Sequence, residues 1–234
     1  MNNPCPPLEA LVFGASGEIG RAIADTLETS GLLVTRATSD TEKDEFVLVP
    51  GASYECPVDL KNRGPFDAVV WAQGLNANDS VESTDLEIHN GILNANLHYV
   101  SRTLSMLLAN GKVNHGSRMV VVSSIWEEVA RPNKFSYTIS KSALGGLVRA
   151  ASVDLASKGI LINGVLPGVV DTQMTRSVLT SDQLEQVKYA TPFARLVTPS
   201  DVASVVSFLC SDRNTAITGQ SIAIDLGFSL TRMV

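Results

Sequence analysis

The chain has little cysteine, no run of basic residues and no long apolar stretch. The three cysteines, Cys5, Cys56 and Cys210, lack the spacing of metal ligands or of a disulfide framework, so we expect free thiols in a reducing compartment. With a net charge of −6 and no basic patch, nothing attracts the chain to nucleic acid or an anionic membrane. No apolar run approaches the ~20 residues that cross a bilayer, and the N-terminus has no signal-peptide pattern. These absences predict a cytoplasmic protein.

Short, continuous apolar runs alternate with longer amphipathic stretches along all 234 residues. Such runs are typical of strands covered on both faces, as in a parallel sheet. The alternation predicts an α/β fold: a Rossmann-type, doubly wound parallel sheet flanked by helices. No linker, repeat or low-complexity segment interrupts it, which predicts a single domain over residues 1–234. The predicted strands are Leu8–Phe13, Leu32–Arg36, Asp67–Trp71, Arg118–Ser123, Ile160–Leu166 and Ser221–Asp225, and the predicted helices are Ile19–Ser30, Asp85–Asn110, Ser136–Ser157, Ser181–Tyr189 and Ser200–Cys210.

Three glycines, Gly14, Gly17 and Gly20, follow the first strand and open the first helix. Glycine permits a tight turn and close approach of the backbone to a pyrophosphate, and the helix N-terminus offers N–H groups and a partial positive charge. An ordinary strand–helix connection is the alternative, but this strand and helix are the context that a nucleotide-binding turn requires. We therefore predict a dinucleotide site here. Its predicted contacts in the turn are Gly14, Ser16, Gly17, Glu18, Ile19 and Gly20.

Tyr137 and Lys141 lie four positions apart in a predicted helix and so share one face. A phenol titrates near pH ~10, and a neighbouring ammonium draws its pKa down toward the range where general acid–base catalysis is efficient. Ser124, at the end of an apolar strand, can hold a substrate oxygen beside the phenol. Singly, each residue is as easily a helix tyrosine, a solvated lysine or a strand-end cap. Together they predict an acid–base centre.

With these residues and the glycine turn, the chain resembles the compact, single-domain branch of the short-chain dehydrogenase/reductase family from Leu11 to about Asp225. The resemblance implies an NAD(P)-dependent oxidoreductase that transfers a hydride between nicotinamide and a carbonyl or secondary alcohol. It implies that Ser124 holds the carbonyl oxygen and Tyr137 supplies the proton. It also implies that Lys141 lowers the pKa of Tyr137 and binds the nicotinamide ribose, and that Asn96 anchors a water leading to solvent.

The same resemblance implies further cofactor contacts and shows where this chain departs from the family. Glu18 stands where the common turn has a glycine, which puts a carboxylate near the phosphates, where it could face solvent. The segment from Trp71 to Gly74, Trp-Ala-Gln-Gly, replaces Asn-Asn-Ala-Gly, so the asparagine contacts are in question. The additional contacts implied are Asp59 and Leu60 at the adenine, Ala72, Gly74, Tyr137 and Lys141, and Pro167, Gly168, Val170 and Thr172 at the nicotinamide.

The residue that selects between NAD and NADP follows the second strand. Counted from Gly20, this position falls at about Thr38, which is not acidic. Thr38 and Ser39 can donate hydrogen bonds to a 2′-phosphate and Arg36 can supply charge, so we favour NADP over NAD. Asp40 keeps NAD open, because a register error of two would make it the ribose-binding acid.

Three other predictions concern the substrate, the assembly and competing functions. The segment Gln173–Ala194 is expected to cover a small-molecule substrate whose identity stays open, and Trp126 either lines that pocket or belongs to the core. The resemblance implies a homo-oligomer, a tetramer or a dimer. The histidines have no metal spacing, and no metal site is expected. A catalytically silent, cofactor-binding regulatory protein is the main alternative, and an epimerase or dehydratase is another.

Overall fold

The computed structural model of the protein describes residues 7–37, 60 and 62–231. Within them, six parallel strands form one sheet in the order β2-β1-β3-β4-β5-β6. Helices cover both faces, so the predicted Rossmann-type α/β fold is confirmed. The strands are β1 Glu9–Phe13, β2 Leu33–Ala37, β3 Phe66–Trp71, β4 Val113–Val122, β5 Leu161–Pro167 and β6 Ser221–Ile224.

The predicted helix Asp85–Asn110 is divided in the structure. A π-helical turn, Asn94–His98, separates α2 from α3, and Asn96 is the buried residue of that turn. The short helix α5 was not predicted; Thr172 caps it by accepting a hydrogen bond from the Thr175 backbone N–H. The helices are α1 Glu18–Thr29, α2 Leu86–Leu93, α3 Tyr99–Ala109, α4 Phe135–Asp154, α5 Gln173–Val178, α6 Ser181–Ala190 and α7 Pro199–Cys210.

The core lies on both faces of the sheet. Alternate residues of β1 separate into the two clusters: Leu11 and Phe13 pack with the α3–α4 side, whereas Ala10 and Val12 pack with α1 and α7. All four are fully buried. This explains why the strands are continuous apolar runs, since each residue is covered by helices whichever way its side chain points. Among the described residues, no helix has the length and apolar character needed to cross a bilayer.

Trp71 shows how the chain accommodates its departure from Asn-Asn-Ala-Gly. Its side chain is fully buried and stacks on Phe13 with ring centroids 5.7 Å apart. The indole Nε1–H donates to Thr103 Oγ1 at 2.7 Å, so its one polar atom is satisfied. An aromatic cluster therefore stands where the family resemblance implied asparagine contacts.

The sheet order places a crevice at the C-terminal ends of β1 and β3. β2 pairs with one side of β1 and β3 with the other, so the connections leave in opposite directions. Ligands of doubly wound sheets bind at such a switch point. The two strand ends come close here, because a Cβ on Gly14 would lie 2.6 Å from the backbone nitrogen of Gln73.

Candidate functional site

An open cleft of about 1090 Å³ begins at the glycine turn and continues past the ends of β3, β4 and β5 to helices α5 and α6. It brings together residues that are far apart in sequence, because the C-terminal ends of parallel strands meet at one edge of the sheet. The predicted site residues that line it are Gly14, Ser16, Gly17, Glu18, Ile19, Gly20, Ala72, Gly74, Ser124, Tyr137, Lys141, Pro167, Gly168, Val170 and Thr172.

The glycine turn fits a dinucleotide phosphate. Gly14 has a φ of +76°, which favours glycine, and Gly20 lies against it so closely that a Cβ would be 2.1 Å from the Gly14 carbonyl oxygen. Gly17 is the N-cap of α1 and provides no side-chain acceptor to the first turn of the helix. The first-turn N–H groups of α1 therefore face the cleft without a side-chain cap, which is the arrangement that binds anions.

Glu18 does not simply face solvent. Its Oε1 accepts a hydrogen bond of 2.7 Å from the backbone N–H of Gln173, the first residue of α5. The carboxylate thus connects the glycine turn to the first helix of the segment expected to cover the substrate. Glu18 lies in the turn as predicted, but its carboxylate accepts a hydrogen bond from the Gln173 backbone.

Ser124, Tyr137 and Lys141 meet in the cleft. The Ser124 side chain lies close enough to the phenol of Tyr137 to affect its pKa. The Lys141 ammonium lies 5.6 Å from the centroid of the Tyr137 ring and donates to the Val122 carbonyl at 3.2 Å. Gly74 lies beside this group, since a Cβ there would be in van der Waals contact with Lys141 Nζ at 3.6 Å. The strand end and the helix face that the spacing predicted are therefore adjacent.

The protonation states differ from the sequence expectation. Burial raises the pKa of Tyr137 to about 12, with the Ser124 side chain acting in the opposite direction. Burial also lowers the pKa of Lys141 to about 8, against the charge of Glu127. The expected lowering of the Tyr137 pKa by Lys141 is therefore wrong for the protein's own groups. Desolvation disfavours both charged forms and is the largest cause of each shift.

Asn96 is 1% exposed and holds the loop after β3 in place. Its Oδ1 accepts from the Leu75 backbone N–H at 2.7 Å, and its Nδ2 donates to the Leu75 carbonyl and to Ser140 Oγ, each at 2.9 Å. The side chain joins the loop beside Gly74 to α4, one residue from Lys141. Its implied role as a water anchor stays a prediction, while its role in positioning this loop is visible.

The residues predicted to select NADP are only partly described. Thr38, Ser39 and Asp59 lie outside the described residues, and Leu60 is fully buried in the core instead of lining the cleft. Arg36 also does not line the cleft. Its Nη2 contacts Asp25 Oδ1 at 2.6 Å and Glu28 Oε2 at 2.8 Å, because the end of β2 lies beside α1.

Two cations missed by the sequence reasoning, Arg131 and Lys134, also line the cleft. Lys134 is 3% exposed, and its Nζ lies 5.7 Å from the centroid of the Tyr137 ring. The Arg131 guanidinium lies 5.7 Å from the centroid of the Trp126 ring, and Trp126 lines the cleft as well. The sequence could have indicated Lys134, because it stands three residues before Tyr137 at the start of the same helix and residues so spaced are neighbours.

The segment Gln173–Ala194 borders the cleft as expected, through α5 and α6. Its apolar contribution comes from Met174, Val178 and Leu179 together with Val187. Phe193, which belongs to the same segment, is 68% exposed and is not part of the lining. His89 bonds to Ser136 Oγ through Nδ1 at 2.7 Å, a packing role next to α4.

Comparison with known proteins extends the likeness over nearly the whole chain. A family model described as "Enoyl-(Acyl carrier protein) reductase" matches residues 58–229. The 3-oxoacyl-[acyl-carrier-protein] reductase FabG of Escherichia coli K12 is 30% identical over 235 residues, covering 93% of this chain and 96% of that protein.

Solved structures give the same result. A short-chain dehydrogenase family protein from Francisella tularensis superposes with a TM-score of 0.84 at 26% identity, covering 96% of this chain and 100% of that one. A putative NAD(P)-dependent gluconate 5-dehydrogenase from Beutenbergia cavernae, with bound NADP, superposes with a TM-score of 0.80 at 25% identity, covering 96% and 97%.

Proposed function

We propose that this chain, which belongs to the short-chain dehydrogenase/reductase family and is an NAD(P)-dependent oxidoreductase, works as an NADPH-linked reductase of a small carbonyl compound. The observation that carries the proposal is that Ser124, Tyr137 and Lys141 line the same cleft as the glycine turn, with the Lys141 ammonium 5.6 Å from the centroid of the Tyr137 ring. A proton donor and a phosphate site share one cavity, which is what reduction of a carbonyl by a dinucleotide requires.

The residues of the cleft fit a nicotinamide dinucleotide. The uncapped first turn of α1 would hold the pyrophosphate, and Lys141 and Tyr137 would bind the nicotinamide ribose. The loop Pro167–Thr172 would hold the carboxamide. When bound, the cofactor supplies the hydride.

The protein's part of the reaction is to position the carbonyl and provide a proton. Ser124 would donate a hydrogen bond to the carbonyl oxygen and stabilise the charge that develops there. Tyr137 then gives its phenolic proton to that oxygen. Burial keeps this proton in place until it is needed, because the pKa of the phenol is raised to about 12. The buried ammonium of Lys141 lies 5.6 Å from the centroid of the ring on which the phenolate forms.

The variant Tyr137→Phe tests the assignment. We expect kcat for carbonyl reduction by NADPH to fall about 10²- to 10⁴-fold, since general acid catalysis contributes that much. NADPH should still bind, as measured by quenching of protein fluorescence. A panel of ketones, aldehydes and secondary alcohols, followed by absorbance of the cofactor, provides the activity measurement.

Tyr99→Phe is the matched control, because Tyr99 is a partly buried helix tyrosine in the core cluster and does not line the cleft. It should keep the wild-type rate. Full activity in Tyr137→Phe would show that the acid is misassigned. Tight cofactor binding without turnover on any substrate would favour the silent regulatory protein, and product formed without net cofactor change would favour an epimerase or dehydratase.

The preference for NADP over NAD is a separate part of the proposed function. It rests on the absence of an acid at Thr38 and on a relative with bound NADP. Kinetics with NADPH and NADH test it directly, and a clear preference for NADH would overturn it. The homo-oligomeric state and the cytoplasmic setting likewise stay predictions.

A further inference from the structure

The lysines and arginines that line the cleft have different partners from four lysines and arginines outside it. Arg36, Arg176, Lys188 and Arg195 form ion pairs with carboxylates, and none of these four lines the cleft. The cations that do line it have no carboxylate partner among the described residues. Arg21 is at the glycine turn and Lys141 is committed to the chemistry. The two left over, Arg131 and Lys134, lie beyond Tyr137, on the substrate side.

The ammonium group of Lys134 is buried and has one N–H donor without an acceptor among the described residues. Its Nζ donates to Asn76 Oδ1 at 2.7 Å and to the Ala77 carbonyl at 3.3 Å, both neutral acceptors. An ammonium has three N–H donors, so one has no protein acceptor among the described residues. A buried charge without a counterion is costly. Here the surroundings favour the neutral form: burial, and then Arg131, lower the pKa of Lys134 to about 8 against the charge of Asp79.

Asp79 is the carboxylate whose charge acts on Lys134, but the two side chains form no ion pair among the described residues. It accepts a hydrogen bond from the Ser136 backbone N–H at 3.0 Å, and the Ser136 hydroxyl donates to its other oxygen. The carboxylate is thereby used to cap the first turn of α4. The only acidic residue described in the cleft lining is Glu18, at the opposite end, where it accepts from Gln173.

Arg131 adds a second unpaired cation at the same place. Its side chain is exposed and forms no hydrogen bond to a described residue. It packs against Trp126, which lies two positions after Ser124 in the sequence. A guanidinium has five donors whose geometry matches a carboxylate or a phosphate. Its position on Trp126 leaves those donors available to a ligand at the cleft mouth.

We propose that Lys134 and Arg131 bind an oxyanion group, a carboxylate or a phosphate, carried by the carbonyl substrate. This rests on the proposed function, and it narrows the substrate class to oxo acids or phosphorylated carbonyl compounds. The oxyanion supplies the acceptor that Lys134 lacks and places the carbonyl between Ser124 and Tyr137. Short substrates suit this geometry, because Lys134 Nζ lies only 5.7 Å from the centroid of the Tyr137 ring.

Matched substrate pairs test the proposal in the full-length enzyme with saturating NADPH. Pyruvate, acetoacetate and levulinate are each compared with their methyl esters, and dihydroxyacetone phosphate with dihydroxyacetone. We expect kcat/KM for at least one charged member to exceed that of its neutral partner by about tenfold or more. The acid pairs and the phosphate pair distinguish the two oxyanions.

The variants Lys134→Met and Arg131→Gln should each lower kcat/KM for that charged substrate about tenfold, mainly through KM, and leave its neutral partner unaffected. Arg213→Gln is the matched control, since Arg213 also stacks on an aromatic ring, Phe208, but outside the cleft. Arg131 is exposed, so its variant remains informative should Lys134→Met fold poorly. The NADPH affinity of every variant reports whether the cleft is intact.

Equal or better turnover of the neutral partners, or a preference that both variants leave unchanged, would overturn this inference while the proposed reductase function stands. So would a lack of activity on all charged members in an enzyme that reduces neutral ketones. If no carbonyl compound were turned over by the NADPH-bound enzyme, the proposed function itself would fail, and the inference with it.

Discussion

The glycine-turn end of the cleft is made of backbone, whereas the end beyond Tyr137 is made of charged side chains. At the first, Gly14 and Gly20 are in contact and the N-cap Gly17 has no side chain, so the surface consists of peptide groups. At the second, the side chains of Lys134 and Arg131 line the cleft, and both residues belong to the segment that leads into α4. A backbone surface accepts any dinucleotide phosphate, while a side-chain surface can differ between members of one fold. This is why the cofactor class is evident here and the substrate class required the structure.

The strongest test of the backbone end is Gly14→Ala. The new Cβ would lie within 3 Å of the backbone of Ala72 and Gln73, at a φ that disfavours alanine. We expect the free energy of unfolding to fall by about 2–4 kcal/mol, measured by urea denaturation, together with a loss of NADPH binding.

Gly91→Ala provides the control for that measurement. Gly91 lies in α2, and a Cβ there would meet no atom within 4 Å. This variant should be neutral or stabilising by up to about 1 kcal/mol, because alanine is the better helix former. If Gly14→Ala were as stable as Gly91→Ala and still bound NADPH, the close packing of the two strand ends would not be what builds the turn.

The pH dependence of stability tests the charged end. Lys134 and Lys141 each have a pKa lowered by burial to about 8 from 10.5, so between these values the unfolded chain binds more protons than the folded one. Stability should therefore rise with pH, by up to about 1.4 kcal/mol per pH unit for each lysine. Urea unfolding between about pH 7.5 and pH 8.5 measures it. Closer to pH 9 the thiol of Cys210 would act in the opposite direction, because burial raises its pKa from 9.0 to about 12 and the unfolded chain then loses that proton first.

In Lys134→Met one of the two contributions disappears, so the slope over the same pH range should be about half that of the wild type. Lys188→Met is a fair comparison, since Lys188 is a half-exposed helix lysine paired with Glu185. It should keep the wild-type slope. A slope that is flat in the wild type, or unchanged in Lys134→Met, would mean that Lys134 is not a desolvated cation.

The smallest effect is expected for Arg36→Gln, which asks whether a paired cation can also serve the cofactor. The guanidinium contacts Asp25 and Glu28, both well exposed, so its loss should cost no more than about 1 kcal/mol of stability. The Kd for NADPH should stay within about twofold, because the contacts that the side chain makes with described residues are all to α1.

Glu28→Gln should give a comparable small loss of stability and the same Kd. A tenfold weaker Kd for NADPH in Arg36→Gln, with NADH binding unchanged, would restore Arg36 to the 2′-phosphate site that its position in the sequence suggested. That result would mean that a cation paired with carboxylates outside the cleft can still bind the cofactor.

Prediction from the sequence was most successful where the signal is local. The six strands and the first helix were anticipated to within a few residues except at β4, which begins at Val113 rather than Arg118, because continuous apolar runs and glycine positions report directly on a buried parallel strand and its turn. Long-range geometry was less accessible. Nothing in the helical pattern of residues 85–110 indicates the π-helical turn at Asn96, which is held by hydrogen bonds to Leu75 and Ser140.

The sequence alone determined the fold and the family and nominated the acid–base residues that we propose, since glycine spacing and the separation of Tyr137 and Lys141 are properties of neighbouring positions in the chain. Only the tertiary structure decided their electrostatic state. Burial is a property of the packed molecule, and it raises the pKa of Tyr137 where the isolated pair predicted a decrease. Packing also commits Arg36 to α1 and leaves Lys134 and Arg131 without a carboxylate partner in the part of the chain that the structure describes. Which charges remain for a ligand depends on which ones the fold has already paired.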